Sequence, residues 1–242
     1  MKKVILFLFV VFYTIINCQQ TVKVVYETIS NPKISLNGAE NISESMKEEM
    51  KTKVLQQAKQ PKKFVLYYYN GDSFFQRELS EDKSVLEKQK IEYFRLKNKE
   101  GIFLLNDFKV EQFYGYYPMD NVTVEFINET QTIENFNCKL AIYKIGNTIN
   151  KVWYTEEIPI SAGPYNFFKV PGLVLKVESP NFLSYAVKIS TENNKDSIKK
   201  MDSNLKVYSG EELKVKINEG LAKMRMYNHK KFESKKESFQ GK

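Results

Sequence analysis

The chain has 242 residues, a formal net charge of +8, 14% aromatic residues, two cysteines and one histidine. Of that charge, residues 223–242 carry seven Lys/Arg against Glu233 and Glu237, so the body is close to neutral and the basicity belongs to the end of the chain. A near-neutral body excludes a nucleic-acid-binding surface, which would spread Lys and Arg over a folded face.

In chain order, Lys2 and Lys3 precede an uncharged apolar run from Val4 to about Ile16, which ends in polar "NCQQ". This is the pattern of a secretory signal peptide, predicted over residues 1–18. The run is too short to span a bilayer core of about 30 Å, so no transmembrane span is expected. Cys18 at its end is a candidate for a lipid anchor, but Asn17 before it disfavours lipidation relative to ordinary cleavage near Gln19. Cys138 then has no partner, and a domain of this length can rely on its apolar core without a disulfide.

"TVKVVYETIS", Thr21 to Ser30, reads as a strand. "NISESMKEEMKTKVLQQAKQ" reads as a helix with Ser45 and Glu48 at capping-box spacing and a thin apolar stripe. "KKFVLYYYNGDSFFQREL" gives two aromatic strands joined through Asn70-Gly71-Asp72, the strongest hairpin signal in the chain. Further strands are predicted at Ile91–Leu96, Ile102–Leu105, Phe108–Tyr114 and Val122–Ile127. Cys138–Ile145 and Val152–Thr155 follow, with Gly146-Asn147 between them. In the first of these, Cys138, Leu140 and Ile142 share one face, with Cys138 read as a small buried apolar side chain.

"IPISAGPYNFFKVPGLVLKV", Ile158 to Val177, holds Pro159, Pro164 and Pro171 and cannot be helical. Pro171-Gly172 reads as a turn with glycine at positive φ. Leu173, Leu175 and Val177 are expected on one face of the next strand. After a turn at Ser179-Pro180-Asn181, Leu183, Tyr185, Val187 and Ile189 are expected on the apolar face of the returning strand. "SGEELKVKINEGLAKMRM" closes the body as a helix, capped by Ser209 and Glu212, with Leu213, Ile217, Leu221 and Met224 on the face that docks on the sheet. The fold expected is mainly β, an antiparallel sandwich or a curled, bowl-like sheet with one or two peripheral helices. It forms one domain over residues 19–222, followed by a solvated basic tail over 223–242. The strands are shorter than the roughly ten residues that a membrane barrel needs.

Candidate chemistry is sparse. His229 lies in the basic tail, away from any nucleophile motif, and no metal or cofactor pattern is present. Glu156-Glu157 is the carboxylate pair to weigh for hydrolysis, although neighbours on a strand point to opposite faces. Aromatic residues offer the other surface: Tyr67 and Tyr69 in the first hairpin, with Trp153 and Tyr154 beside the proline-rich segment, would suit sugar rings or a partner's apolar patch.

The order "NCKLA", "VWYTEEIPISAGPYNF", "VPGLVLKV" resembles the signature block of the GLPGLI family of exported Bacteroidetes proteins. The matching positions are Cys138, Lys139, Ala141, Trp153, Tyr154, Thr155, Ile158, Pro159, Gly163, Pro164, Phe167, Pro171, Gly172 and Leu173. Lys169-Val170 departs from the family's Gly-Leu, and Val174 from its Ile. The chain is also similar to the bowl-like N-terminal domain attached to some flavobacterial glycan amidases, an accessory module. The resemblance implies an exported protein, periplasmic, outer-membrane-associated or secreted, working beside an outer-membrane receptor or a glycan system. It implies no established activity and no cofactor. A non-enzymatic binding module is the favoured reading, with a carboxylate-dependent hydrolase as the alternative.

Overall fold

The computed structural model describes residues 20–33, 43–78, 90–193 and 198–240. The predicted leader and Cys18 lie outside the described residues. Among the described residues, twelve strands form a single sheet. In chain order they are β1 (Thr21–Ser30), β2 (Lys62–Tyr69), β3 (Asp72–Arg77), β4 (Glu92–Arg95), β5 (Gly101–Asp107), β6 (Gln112–Pro118), β7 (Val122–Ile133), β8 (Phe136–Ile145), β9 (Thr148–Thr155), β10 (Leu173–Ser179), β11 (Phe182–Glu192) and β12 (Val207–Ser209). Two helices accompany them among the described residues, α1 (Glu44–Ala58) and α2 (Gly210–Gln240).

The spatial order is β12-β6-β5-β4-β3-β2-β1-β11-β10-β9-β8-β7, antiparallel throughout except for the parallel β12–β6 pair. β6 and β7 therefore belong to opposite halves of the sheet, yet only Met119, Asp120 and Asn121 connect them. An extended chain covers roughly 3.3–3.6 Å per residue, so this link holds Pro118 and Val122 within about 14 Å of each other. The sheet must curl until its two halves face one another. Bulges at Val25/Tyr26, Ile127/Thr130 and Val174/Lys176 add local bend and twist. The expected mainly β, bowl-like antiparallel sheet is what the chain adopts.

The Asn70-Gly71 turn joins β2 to β3 with φ of 50° and 96°, as a type I′ hairpin requires. The strand predicted from Phe108 begins instead at Gln112. Phe108 N–H donates to the Glu111 carbonyl and Lys109 takes φ 67°, a turn that breaks the run. α1 begins two residues earlier than predicted, at N-cap Ser43, whose Oγ accepts from Met46 N–H. Of its residues only Ala58 is buried.

The docking face predicted for α2 is correct: Leu213, Ile217, Leu221 and Met224 pack on Phe108, Phe113, Tyr117 and Tyr208. The tail expected after residue 222 continues this helix to Gln240. Between Gly220 and Gln240 there is neither glycine nor proline to stop it.

The residue faces differ from expectation in β10 and β11. Val174 is as buried as Leu173 and Leu175, and it shares a cluster with Val177. The bulge at this point breaks the simple alternation. In β11 the buried side chains are Ser184 and Ala186, not Leu183, Tyr185 and Val187. Ser184 faces inward because its hydroxyl accepts from Thr28 on β1.

Candidate functional site

The proline-rich segment between β9 and β10 folds back into the curl of the sheet. Ala162 makes a parallel bridge to Leu173, and Val174 N–H donates to the Ala162 carbonyl at 2.9 Å. Leu173 N–H donates to Ile158 and Ser161 Oγ to Val170, so the loop is tied to its own exit strand. From β1, the Tyr26 hydroxyl donates to the Val174 carbonyl at 2.6 Å, across the intervening β11.

Two of the motif glycines have a steric reason. A Cβ on Gly163 would stand 2.0 Å from the Phe167 carbonyl oxygen, and one on Gly172 would stand 2.1 Å from that of Thr155. Neither glycine takes the positive φ that was expected of Gly172. Close backbone approach, not turn geometry, is what excludes a side chain there.

Tyr165 reaches φ 55° at the tip of the loop. Its ring contacts Phe75 at 4.8 Å, Phe182 at 5.1 Å, and Phe64 and Tyr93 at 5.6 Å. It thus joins β2–β4 on one half of the curl to β11 on the other. Arg95 on β4 reaches the same loop. Its guanidinium donates to the Ser161 carbonyl and lies 4.3 Å from the centre of the Phe168 ring. Its Nε is buried with no hydrogen-bond partner among the described residues, and burial lowers its pKa. Lys169, just before Val170-Pro171-Gly172, donates through Nζ to the Met119 carbonyl in the β6–β7 link.

Beside Tyr165 the curl forms a solvent-open cavity of about 560 Å³. Tyr93, Tyr117, Tyr165, Phe167 and Phe182 supply aromatic surface, and Ile102, Leu104 and Ile145 aliphatic surface. Thr28, Ser30, Thr148, Asn150, Asn166, Ser179 and Asn181 supply hydroxyl and amide groups. No Asp, Glu, Lys, Arg or His is among these lining residues. Burial pushes the Tyr165 phenol up to about 12, and it raises Tyr93 and Tyr117 as well; Tyr93 is raised further by the neighbouring Tyr165 and Tyr117. Three neutral phenols therefore converge on one space.

The aromatic residues singled out in the sequence are placed otherwise. Trp153 is 8% exposed, with Nε1 donating to Glu178 at 3.1 Å, and Tyr154 is 3% exposed. β9 is covered on both faces, so neither ring can form an exposed platform. Tyr67 and Tyr69 are half-buried on β2; Tyr67 stacks on Phe74 with Lys23 Nζ 5.4 Å from its centroid. β1, β11 and β10 separate the two pairs. Of the motif positions, Cys138, Gly163, Pro164, Phe167, Gly172 and Leu173 are buried, while Pro159 and Pro171 are exposed. Phe167 alone of these lines the cavity.

Glu156 pairs with Lys139 at 2.7 Å, and Glu157 accepts from the Asn137 N–H at 2.8 Å. Both are exposed in the turn after β9 and neither lines the cavity. His229 is exposed on α2. Among the described residues no three of His, Cys, Asp and Glu converge as metal ligands would, and no helix is long and apolar enough to cross a membrane. Sequence reasoning missed Tyr165, Arg95 and the cavity polar groups. An aromatic residue between Pro164 and Phe167 was the one local signal for Tyr165.

A family model described as "N-glycanase peptide, N-terminal domain" matches residues 105–213, under half of the chain. Two solved structures share the fold, both of the protein named PNGF-II. The C2 form has TM-score 0.55 at 15% identity, covering 85% of this chain and 33% of that one. The P21 form has TM-score 0.54 at 16% identity, covering 83% and 34%. The chain thus spans about a third of the length of those structures. No curated protein matches it.

Proposed function

We propose that the chain is an exported cell-envelope binding module without catalytic activity, working beside a glycan system or an outer-membrane receptor. The observation that carries this reading is the cavity: open to solvent, aromatic, rich in hydroxyl and amide groups, and with no charged side chain among its described lining residues. Acid–base and nucleophilic mechanisms need a group that moves a proton or is activated near neutral pH. Phenols whose pKa is raised by burial do not provide one. Association with glycans is supported by the likeness to the N-terminal domain of an N-glycanase. Export is supported by the leader-like start and by the GLPGLI-like block, whose glycines shape the loop under the cavity.

The hydrolase alternative rests on Glu156 and Glu157, which are engaged with β8 at the surface. The test places a photo-crosslinking residue at the exposed Asn181 of the full chain in its native host, followed by fractionation. Recovery in the envelope with crosslinks to glycan or to glycan-handling proteins is the expected result. A cytoplasmic location overturns the reading, as does glycan turnover that Glu156→Gln or Glu157→Gln abolishes at unchanged Tm.

A further inference from the structure

We propose that the open cavity of the curl binds a neutral sugar, one pyranose unit or a short uncharged oligosaccharide, an inference that rests on reading the chain as a binding module. The wall chemistry selects the ligand. A charged ligand entering the curl would lose water and find no counter-charge among the lining residues. A wholly apolar ligand fails for the opposite reason. The side chains of Ser30, Thr148, Asn166, Ser179, Asn181 and Tyr117 line the space and make no hydrogen bond to another described residue. Covering them with hydrocarbon would forfeit their bonds to water, at about 1–3 kcal/mol for each group fully buried. A pyranose presents C–H faces to aromatic rings and hydroxyls around its edge, which answers both halves of the wall.

The placement of these groups supports the same assignment. Ser179 pairs with Phe182, Phe182 with Ser30, and Glu178 with Lys151, so the β10–β11 turn, the end of β1 and the start of β9 meet at one end of the curl. Ser30, Ser179, Asn181 and Thr148 thereby form a polar rim, while Tyr165 and Phe167 form an aromatic floor carried by the stapled loop. The floor is rigid: Tyr165 touches four other rings, and Phe167 contacts Tyr143 at 5.3 Å. A pre-formed site of this kind loses little entropy on binding. A volume of about 560 Å³ lies in the range of small-molecule sites and suits one or two sugar rings.

The experiment titrates the full chain with diacetylchitobiose, cellobiose and mannobiose, using saturation-transfer NMR and calorimetry. Digalacturonic acid serves as the charged comparator and dodecanoate as the apolar one. Binding of at least one neutral disaccharide in preference to both comparators is expected. Thr148→Trp, which places a large ring at the half-exposed rim, and Asn166→Leu, which removes an amide, should each weaken it by about tenfold or more. Met226→Ala, on the exposed side of α2, should leave it unchanged. Absence of saturation transfer to every neutral sugar, preference for either comparator, or binding indifferent to both cavity variants overturns the proposal. Loss of sugar binding with envelope location and crosslinking intact removes the ligand class alone. Turnover of a bound sugar keeps the ligand class and removes the non-catalytic reading.

Discussion

The carbonyl oxygen of Thr155 lies 2.1 Å from the point where a Cβ on residue 172 would stand, so β9 and the entry to β10 meet backbone to backbone at Gly172. Gly163 makes the same approach to Phe167 at 2.0 Å. Gly146 is different: it takes φ 55° but has open space around it. Gly172→Ala and Gly163→Ala should therefore each cost more than Gly146→Ala, whose penalty is the left-handed backbone alone, about 1–2 kcal/mol. Urea unfolding of the three variants measures the order. A Gly172→Ala chain as stable as the parent would remove the close approach as the reason for the motif.

How much of this was legible depends on the range of the forces involved. The Asn70-Gly71 turn could be read because both residues must adopt positive φ, and two common turn formers supply it. The Glu134-Asn135 turn, with φ 48° and 67°, could not, because glutamate is no turn signal; the second half of β7 went unread with it. The apolar alternation Leu183/Tyr185/Val187 misled because Ser184 bonds Thr28 on a neighbouring strand, a contact 156 residues apart in sequence. The cavity lies furthest from local reading. Its walls come from β1, β4–β6 and β8–β11, and they converge only because three residues join β6 to the opposite half of the sheet. The proline-rich loop was legible as stiff and non-helical, but nothing in it says that it folds inward.

Arg95 holds that loop from the β4 side through one hydrogen bond to Ser161 and a planar contact with Phe168. A lysine offers a point charge and no plane, so Arg95→Lys should not restore what Arg95→Met loses. Both variants should lose about 1–3 kcal/mol in denaturant unfolding, of the order of a buried hydrogen bond to a charged group. Full stability of Arg95→Lys would show that charge alone suffices.

Cys138 has no exposed surface, and burial pushes its thiol up to about 11. The thiolate is the reacting form, so Cys138 in the native protein at pH 8 should resist iodoacetamide and label only on unfolding. The same shift has a consequence for stability. An unfolded thiol ionises near 9 and the native one near 11, so this group favours the folded state fully below pH 9. That contribution is lost as pH rises from 9 to 11. Cys138→Ala should flatten this part of the stability profile, and rapid native labelling of Cys138 at pH 8 would contradict the burial.

On α2, Gly220 faces Phe108 so closely that a Cβ would stand 2.4 Å from the ring. In an ordinary helix Gly→Ala stabilises by roughly 0.5–1 kcal/mol. Here the sign should reverse, because Phe108 is itself held against Phe113 at 5.8 Å and has little room to move. Among the described side chains, Met224 is the last on α2 packed on this cluster, and Met226 and Tyr227 beyond it are exposed. Met226→Ala should accordingly leave the Tm of the β body almost unchanged, whereas Gly220→Ala should lower it. Calorimetry on the two variants checks the close approach: a Gly220→Ala chain as stable as the parent would show that the Phe108 ring yields to the added methyl group.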